Sequence, residues 1–236
     1  MAIYGATGLA GRAMLSVLKA NTLPNLSNVV AVTRRPLDPA SIYDFPLKVT
    51  NSVVADISDP NAFPENADIL YCALGLPIGL AGSSAGQRAV DHDLTLKIAE
   101  NAKAVGTVKT VILVSAMYAD INARTEHNKM KAETERDIAN LGFEQTIILR
   151  PGGILGDRVN QSVRPGYEKP AYIIFKAMRQ VPFLRSLSNS ISVWDYELIK
   201  AALYIVEKGD KGVTIIPHRE LAKMAQKYDE FKQAQN

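Results

Sequence analysis

Long apolar runs are missing from this chain. The longest, such as TVILV at 110–114 and the apolar part of TIILR at 146–150, are the size of strands. A helix needs about 20 consecutive apolar residues to span a bilayer, so any membrane association is expected to be peripheral or through a partner. Cysteine is almost absent. Cys72 stands alone, which excludes an internal disulfide and permits a reducing compartment. Charge of one sign is lacking too: 27 Lys and Arg against 24 Asp and Glu leave a net +3, and basic residues never cluster beyond a pair. Nucleic acid is therefore not expected as a partner. Only Met1–Tyr4 precede Gly5, too few residues for a secretory signal in this stretch. There is no internal repeat and no low-complexity tract.

What is present reads as one globular domain. The 236 residues are 47% apolar and 22% charged, enough for one large core over 1–236. Apolar runs alternate with helical patterns through the first two thirds. Strands are expected at 2–5, 28–33, 47–56, 67–75, 108–116 and 144–152. Helices are expected from Gly11, over 85–105 with Val90, Leu94, Ile98 and Ala102 on one face, and over 127–141. Strands that are apolar throughout and alternate with helices imply a parallel sheet covered on both faces, a doubly wound α/β fold of Rossmann type. Residues 157–192, with Pro165, Pro170 and Pro182, read as a loop-rich insertion facing substrate or partner. A helix at 195–207, a strand at 212–217 and a helix at 218–234 follow. The stripe Leu221, Met224, Ala225, Tyr228 and Phe231 on the last helix reads as docking on the domain, with a surface for a partner or a membrane as the alternative.

The stretch GATGLAGR, Gly5 to Arg12, follows a strand and opens a helix, which is the context a dinucleotide fingerprint requires. Gly5 permits the tight turn, Gly8 lets backbone approach a pyrophosphate, and Gly11 lets helix and strand pack closely. Thr7 and Leu9 flank the same phosphate site. After the second strand, AVTRRP supplies Arg34 and Arg35 and no acid, which suits a ribose 2′-phosphate and hence NADP(H). Asp56, after the third strand, suits the adenine amino group or the cap of the following turn. The glycine-rich segment from Ala73, Leu74 and Gly75 onward leaves the fourth strand at its carboxyl end, where close approach to a cofactor is expected. No metal is expected at Asp91-His92-Asp93, because successive helical residues point about 100° apart.

GATGLAGR, TRRP, ADIS, ILVSA and LRPGGILGDR together resemble an atypical short-chain dehydrogenase/reductase of the Tat-interacting-protein branch. They are most similar to its fungal "found in mitochondrial proteome" members. The resemblance covers about 1–217, is specific over 90–158 and is loose over 159–192. It implies a Rossmann domain with an NADP(H) site, a small carbonyl or alcohol substrate, and a peripheral place on the cytosolic face of the mitochondrial outer membrane, with a cytoplasmic location or a protein partner as alternatives. It also implies a catalytic serine, tyrosine and lysine. Ser115 and Lys131 match. The tyrosine position, four residues before Lys131, holds His127. Lys131 also belongs to the implied cofactor site, with Arg150, Pro151 and Gly152 after the sixth strand. Residues i and i+4 of a helix are neighbours, so His127 faces Lys131 and could serve as a substitute acid/base. A neighbouring ammonium favours neutral imidazole, a poorer acid than the family's tyrosine. Two functions follow from that departure: a reductase with altered chemistry, or a binding module controlled by cofactor occupancy. Oligomeric state is not legible.

Overall fold

The computed structural model describes residues 1–21, 23–156, 173–174, 177–178, 181 and 188–235. In chain order the elements are β1 (Ala2–Tyr4), α1 (Leu9–Ala20), β2 (Asn28–Thr33), β3 (Lys48–Val53), β4 (Ile69–Cys72), α2 (Ile78–Ala81) and α3 (Ser84–Arg88). After a π-helical stretch (Ala89–Leu94) come α4 (Thr95–Val105), β5 (Thr110–Val114), α5 (Glu126–Asn140), β6 (Gln145–Arg150), β7 (Gly153–Leu155), β8 (Ser192–Trp194), α6 (Asp195–Lys208), β9 (Gly212–Pro217) and α7 (His218–Gln235).

Seven strands form one sheet in the order β3-β2-β1-β4-β5-β6-β9. Every pairing in it is parallel. The order reverses between β1 and β4, the topological switch point at whose carboxyl end such sheets bind ligands. Alternate residues of β1, β2, β4 and β5 enter two cores. Ile3, Tyr71, Ile112 and Ile147 pack with α1 and α6 on one face. Tyr4, Cys72, Leu113 and Ile138 pack on the other with α4 and α5. The expected Rossmann-type doubly wound sheet is what the chain forms.

The last helix docks as expected: Leu221, Ala225 and Tyr228 are buried, and Phe231 meets Tyr204 edge-on at 6.3 Å. Two departures bear on the site. The helix expected over 85–105 forms without a gap from Ser84 to Val105, but its winding changes in the middle. Its first part is α3, and the wider π turn over Ala89–Leu94 rotates the buried face onto Asp91, His92 and Thr95, leaving Val90 and Leu94 only half-buried. And β7 pairs in parallel with β8 as a separate two-stranded ribbon. Strands of three residues are too short for a periodicity to show. Most of the loop-rich stretch 157–192 lies outside the described residues.

Candidate functional site

The phosphate turn is built by exclusion of side chains. Gly5 has φ +88°, and a Cβ there would lie 2.6 Å from the Ala73 carbonyl oxygen. A Cβ on Gly11 would overlap the Gly5 carbonyl oxygen and the Ala6 Cα. Gly8 differs: within 4 Å its Cβ would meet only the Gly5 oxygen, at 3.2 Å, and Thr7 and Gly8 are exposed. The Gly8 N–H closes the turn on Gly5 (2.9 Å). Leu9 opens α1, whose first turn has no side-chain cap and no acid. Free N–H groups and the positive end of the helix dipole are therefore presented with no acid in the helix's own first turn, which fits a pyrophosphate.

Next to this turn, Thr33 is buried, and its hydroxyl accepts from Asn51 Nδ2 at 2.8 Å. Arg34 and Arg35 are exposed. Neither guanidinium has an ion-pair partner among the described residues, so both can meet a phosphate. Asp56 caps its own turn: Oδ1 accepts from the Ser58 N–H (2.8 Å) and hydroxyl (2.7 Å). These bonds hold its carboxyl below the usual carboxylate range. Ala73 and Leu74 wall the turn, since the Ala73 N–H donates to Tyr4 (3.0 Å) and the Leu74 nitrogen would lie 3.2 Å from a Cβ on Gly5.

Two of the three positions expected to be catalytic, His127 and Lys131, lie on α5. His127, Lys131 and Glu135 are four residues apart and share one face. Lys131 is buried, and its ammonium lies 2.9 Å from Asp91 Oδ2. The other Asp91 oxygen accepts from the Leu76 N–H (2.7 Å), and Gln87 donates to the Leu76 carbonyl (3.0 Å). Gly75 lies beside the same carboxylate, 3.9 Å from the Cβ it lacks. The Ser115 hydroxyl donates to Glu135 Oε1 at 2.5 Å. Glu135 is held in turn by Arg150, through Nε (3.0 and 3.2 Å) and the terminal nitrogen (2.6 Å), which raises the Arg150 pKa. His127 is half-buried. Burial first, and the Lys131 ammonium second, hold its pKa below the usual imidazole value, with Asp91 partly offsetting them. The Cys72 thiol is pushed up to about 11, chiefly by burial.

Two of the three expected catalytic groups are thus engaged inside the protein, Ser115 with Glu135 and Lys131 with Asp91. Arg150, expected in the cofactor site, gives its side chain to Glu135. The Pro151 carbonyl accepts from the Met117 N–H (2.7 Å), and the Gly152 N–H donates to His218 Nδ1 (3.0 Å). Asp91 and Glu135 escaped the sequence reading. Glu135 had a signal, the step of four from Lys131. Asp91 had none, because only the π turn points it inward. His92 meets Asp93 (2.7 Å) and Asp137 (3.0 Å), so it and Asp91 serve different partners.

A family model described as NAD(P)H-binding matches residues 5–171, from the glycine turn past Arg150. The chain belongs to this NAD(P)H-binding family. Among curated proteins it is similar to the mitochondrial protein FMP52 of Kluyveromyces lactis, 39% identical over 161 residues that cover 66% of this chain and 67% of that protein. The mitochondrial FMP52 of Saccharomyces cerevisiae is 38% identical over 165 residues, covering 67% of each. These relatives bear out the resemblance to the fungal mitochondrial branch of atypical short-chain dehydrogenase/reductases. Among solved structures, the Bordetella bronchiseptica enzyme WbmF in complex with NAD+ superposes with a TM-score of 0.66 at 14% identity, over 98% of this chain and 78% of that one. A UDP-glucose 4-epimerase of Thermotoga maritima gives 0.64 at 15%, over 96% and 81%. At such identities these structures speak to the fold alone. The NAD(P)H-binding match spans every position expected to hold cofactor or to be catalytic.

Proposed function

We propose that the protein binds NADP(H) across the carboxyl ends of β1, β2 and β4 and acts, with low turnover, on a small carbonyl or alcohol compound. The observation that carries the cofactor choice is the exposed pair Arg34 and Arg35, without a described partner, beside an acid-free turn. A 2′-phosphate is dianionic and takes bidentate guanidinium donors. When bound, the reduced cofactor supplies the hydride. The protein's part is to hold the pyrophosphate at α1, orient the nicotinamide near Lys131 and the Pro151–Gly152 backbone, and provide a proton.

Low turnover follows from the internal pairing. An ammonium neutralised by Asp91 at 2.9 Å does less to stabilise a nearby anion, and the Ser115 hydroxyl is committed to Glu135. That observation also favours a second reading, a module in which cofactor occupancy controls a partner. We further propose that it is held peripherally at the mitochondrial outer surface; the relatives named mitochondrial support the organelle.

Calorimetric titration with NADPH and NADH tests the cofactor assignment. A preference for NADPH of about tenfold or more is expected, equivalent to about 1.4 kcal/mol, a modest demand on charge-assisted hydrogen bonds. It should vanish in Arg34→Ala/Arg35→Ala, and equal affinities in the natural protein would overturn the assignment. NADPH absorbance over a panel of aldehydes and ketones separates the two readings, since the binding module predicts background turnover.

A further inference from the structure

Tyr118, on the loop between β5 and α5, has φ 65°. A residue with a Cβ is disfavoured in the left-handed region and persists there only where its surroundings over-determine it. They do so here. The Met117 N–H donates to the Pro151 carbonyl (2.7 Å), the Ala119 N–H to Ala116 (3.3 Å) and the Asp120 N–H to Asn128 (3.3 Å). Ala119 is buried, while Tyr118 is 71% exposed. The backbone is fixed on both sides, and the strained residue returns almost no burial for its ring.

The position of this residue supplies a reason for the strain. The loop leaves β5 through Ser115 and is bonded to Pro151 at the end of β6, so it crosses the carboxyl ends of both strands, on the side where such sheets bind ligands. The hydroxyl has no hydrogen-bond partner among the described residues. Four residues before Lys131, where a phenol is expected, the chain carries an imidazole that its surroundings keep neutral.

We propose that Tyr118 is a catalytic residue, the hydroxyl that touches the substrate and gives its proton to the substrate oxygen. This rests on the reading of the site as one for a reduced nicotinamide dinucleotide. As hydride arrives, a C–H bond forms at the carbonyl carbon and the π pair of the C=O moves to oxygen. The phenol O–H breaks, its pair stays on the phenolate, and a new O–H forms on the substrate. The carbonyl is reduced and the nicotinamide oxidised. The exposed phenolate regains its proton from water.

The test uses the full chain with Tyr118→Phe, Tyr118→Gly and, as control, Tyr43→Phe, another exposed tyrosine. Calorimetry with NADPH reports the dinucleotide reading by itself: no binding by the natural protein sinks that reading and this proposal with it. Given binding, Tyr118→Phe should retain NADPH affinity and lose roughly 10²–10⁴-fold in NADPH oxidation on the aldehyde panel, with Tyr43→Phe unchanged. Tyr118→Gly should be as inactive yet melt at a higher temperature, because glycine relieves the backbone. Full turnover by Tyr118→Phe overturns the proposal. If natural turnover is at background, ring-¹³C tyrosine spectra of the NADP-saturated protein decide. The signal missing in Tyr118→Phe should shift on titration with benzamide, an unreactive carbonyl compound. An unmoved signal overturns the proposal.

Discussion

Adding one carbon has a different consequence at each of the turn glycines. At Gly11 it meets backbone on the opposite side of the turn, which cannot give way as a side chain can. Gly11→Ala should therefore destabilise the fold by about 1–3 kcal/mol or more, the cost of overpacking, seen as a lower urea midpoint. At Gly8 the added group faces solvent apart from one carbonyl oxygen at 3.2 Å. Gly8→Val should leave the urea midpoint nearly unchanged and abolish NADPH binding in calorimetry. Retained binding in a folded Gly8→Val protein would place the dinucleotide elsewhere. His127 gives a pH signature. Its folded pKa lies below the unfolded value of 6.5, so on acidification the unfolded chain takes up the proton first. Stability contributed by neutral His127 is whole above about pH 6.5, falls as pH drops toward the folded pKa, and is level below it. Urea midpoints at pH 7.5 and 5 should show a smaller fall for His127→Gln than for the natural protein. An equal fall would show that other groups carry it.

At the scale of elements, α5 binds the two halves of the crevice through two ion pairs one turn apart, Lys131 with Asp91 and Glu135 with Arg150. Removing one partner of a buried pair leaves a charge without compensation, typically costing about 3–5 kcal/mol. Arg150 keeps 28% of its side chain exposed, so water screens part of that loss, and Arg150→Ala should fall toward the low end of the range. Glu135→Leu with Arg150→Met removes both charges and should recover most of the loss in urea denaturation. No recovery would mean that the Ser115 bond, and not the ion pair, dominates. These pairs also mark where the sequence stopped being legible. The alternation of apolar strands and helices was enough for the sheet, and the spacing of Gly5, Gly8 and Gly11 was enough for the turn, because both are local patterns. Lys131 and His127 were found by position. The partner of Lys131 was not, because a 3.6-residue period carried through 85–105 points Val90 and Leu94 inward, whereas the π turn brings in Asp91; the partner of Ser115, Glu135, was legible only as a step of four from Lys131. Tertiary pairing of that kind leaves no period in the sequence.

For the whole molecule, the question is how a chain of this make-up stays at a mitochondrial surface, as proposed from its relatives. No helix among the described residues is long and apolar enough to cross a membrane. Net charge is only +3 over 236 residues, too little for strong attraction to an anionic leaflet. Among the described residues, Ile78 and Leu80 on α2 are each 52% exposed. Full burial of one such side chain is worth roughly 1.5–3 kcal/mol, so an attachment through these two half-exposed ones is weak and reversible. A contact of that strength, whether to lipid or to a resident protein, should not survive high salt or alkaline carbonate. Washing a mitochondrial fraction with either should move the protein to the supernatant, followed by immunoblot against an integral marker that stays in the pellet. If the protein remains with the marker through both washes, weak surface attachment is the wrong account.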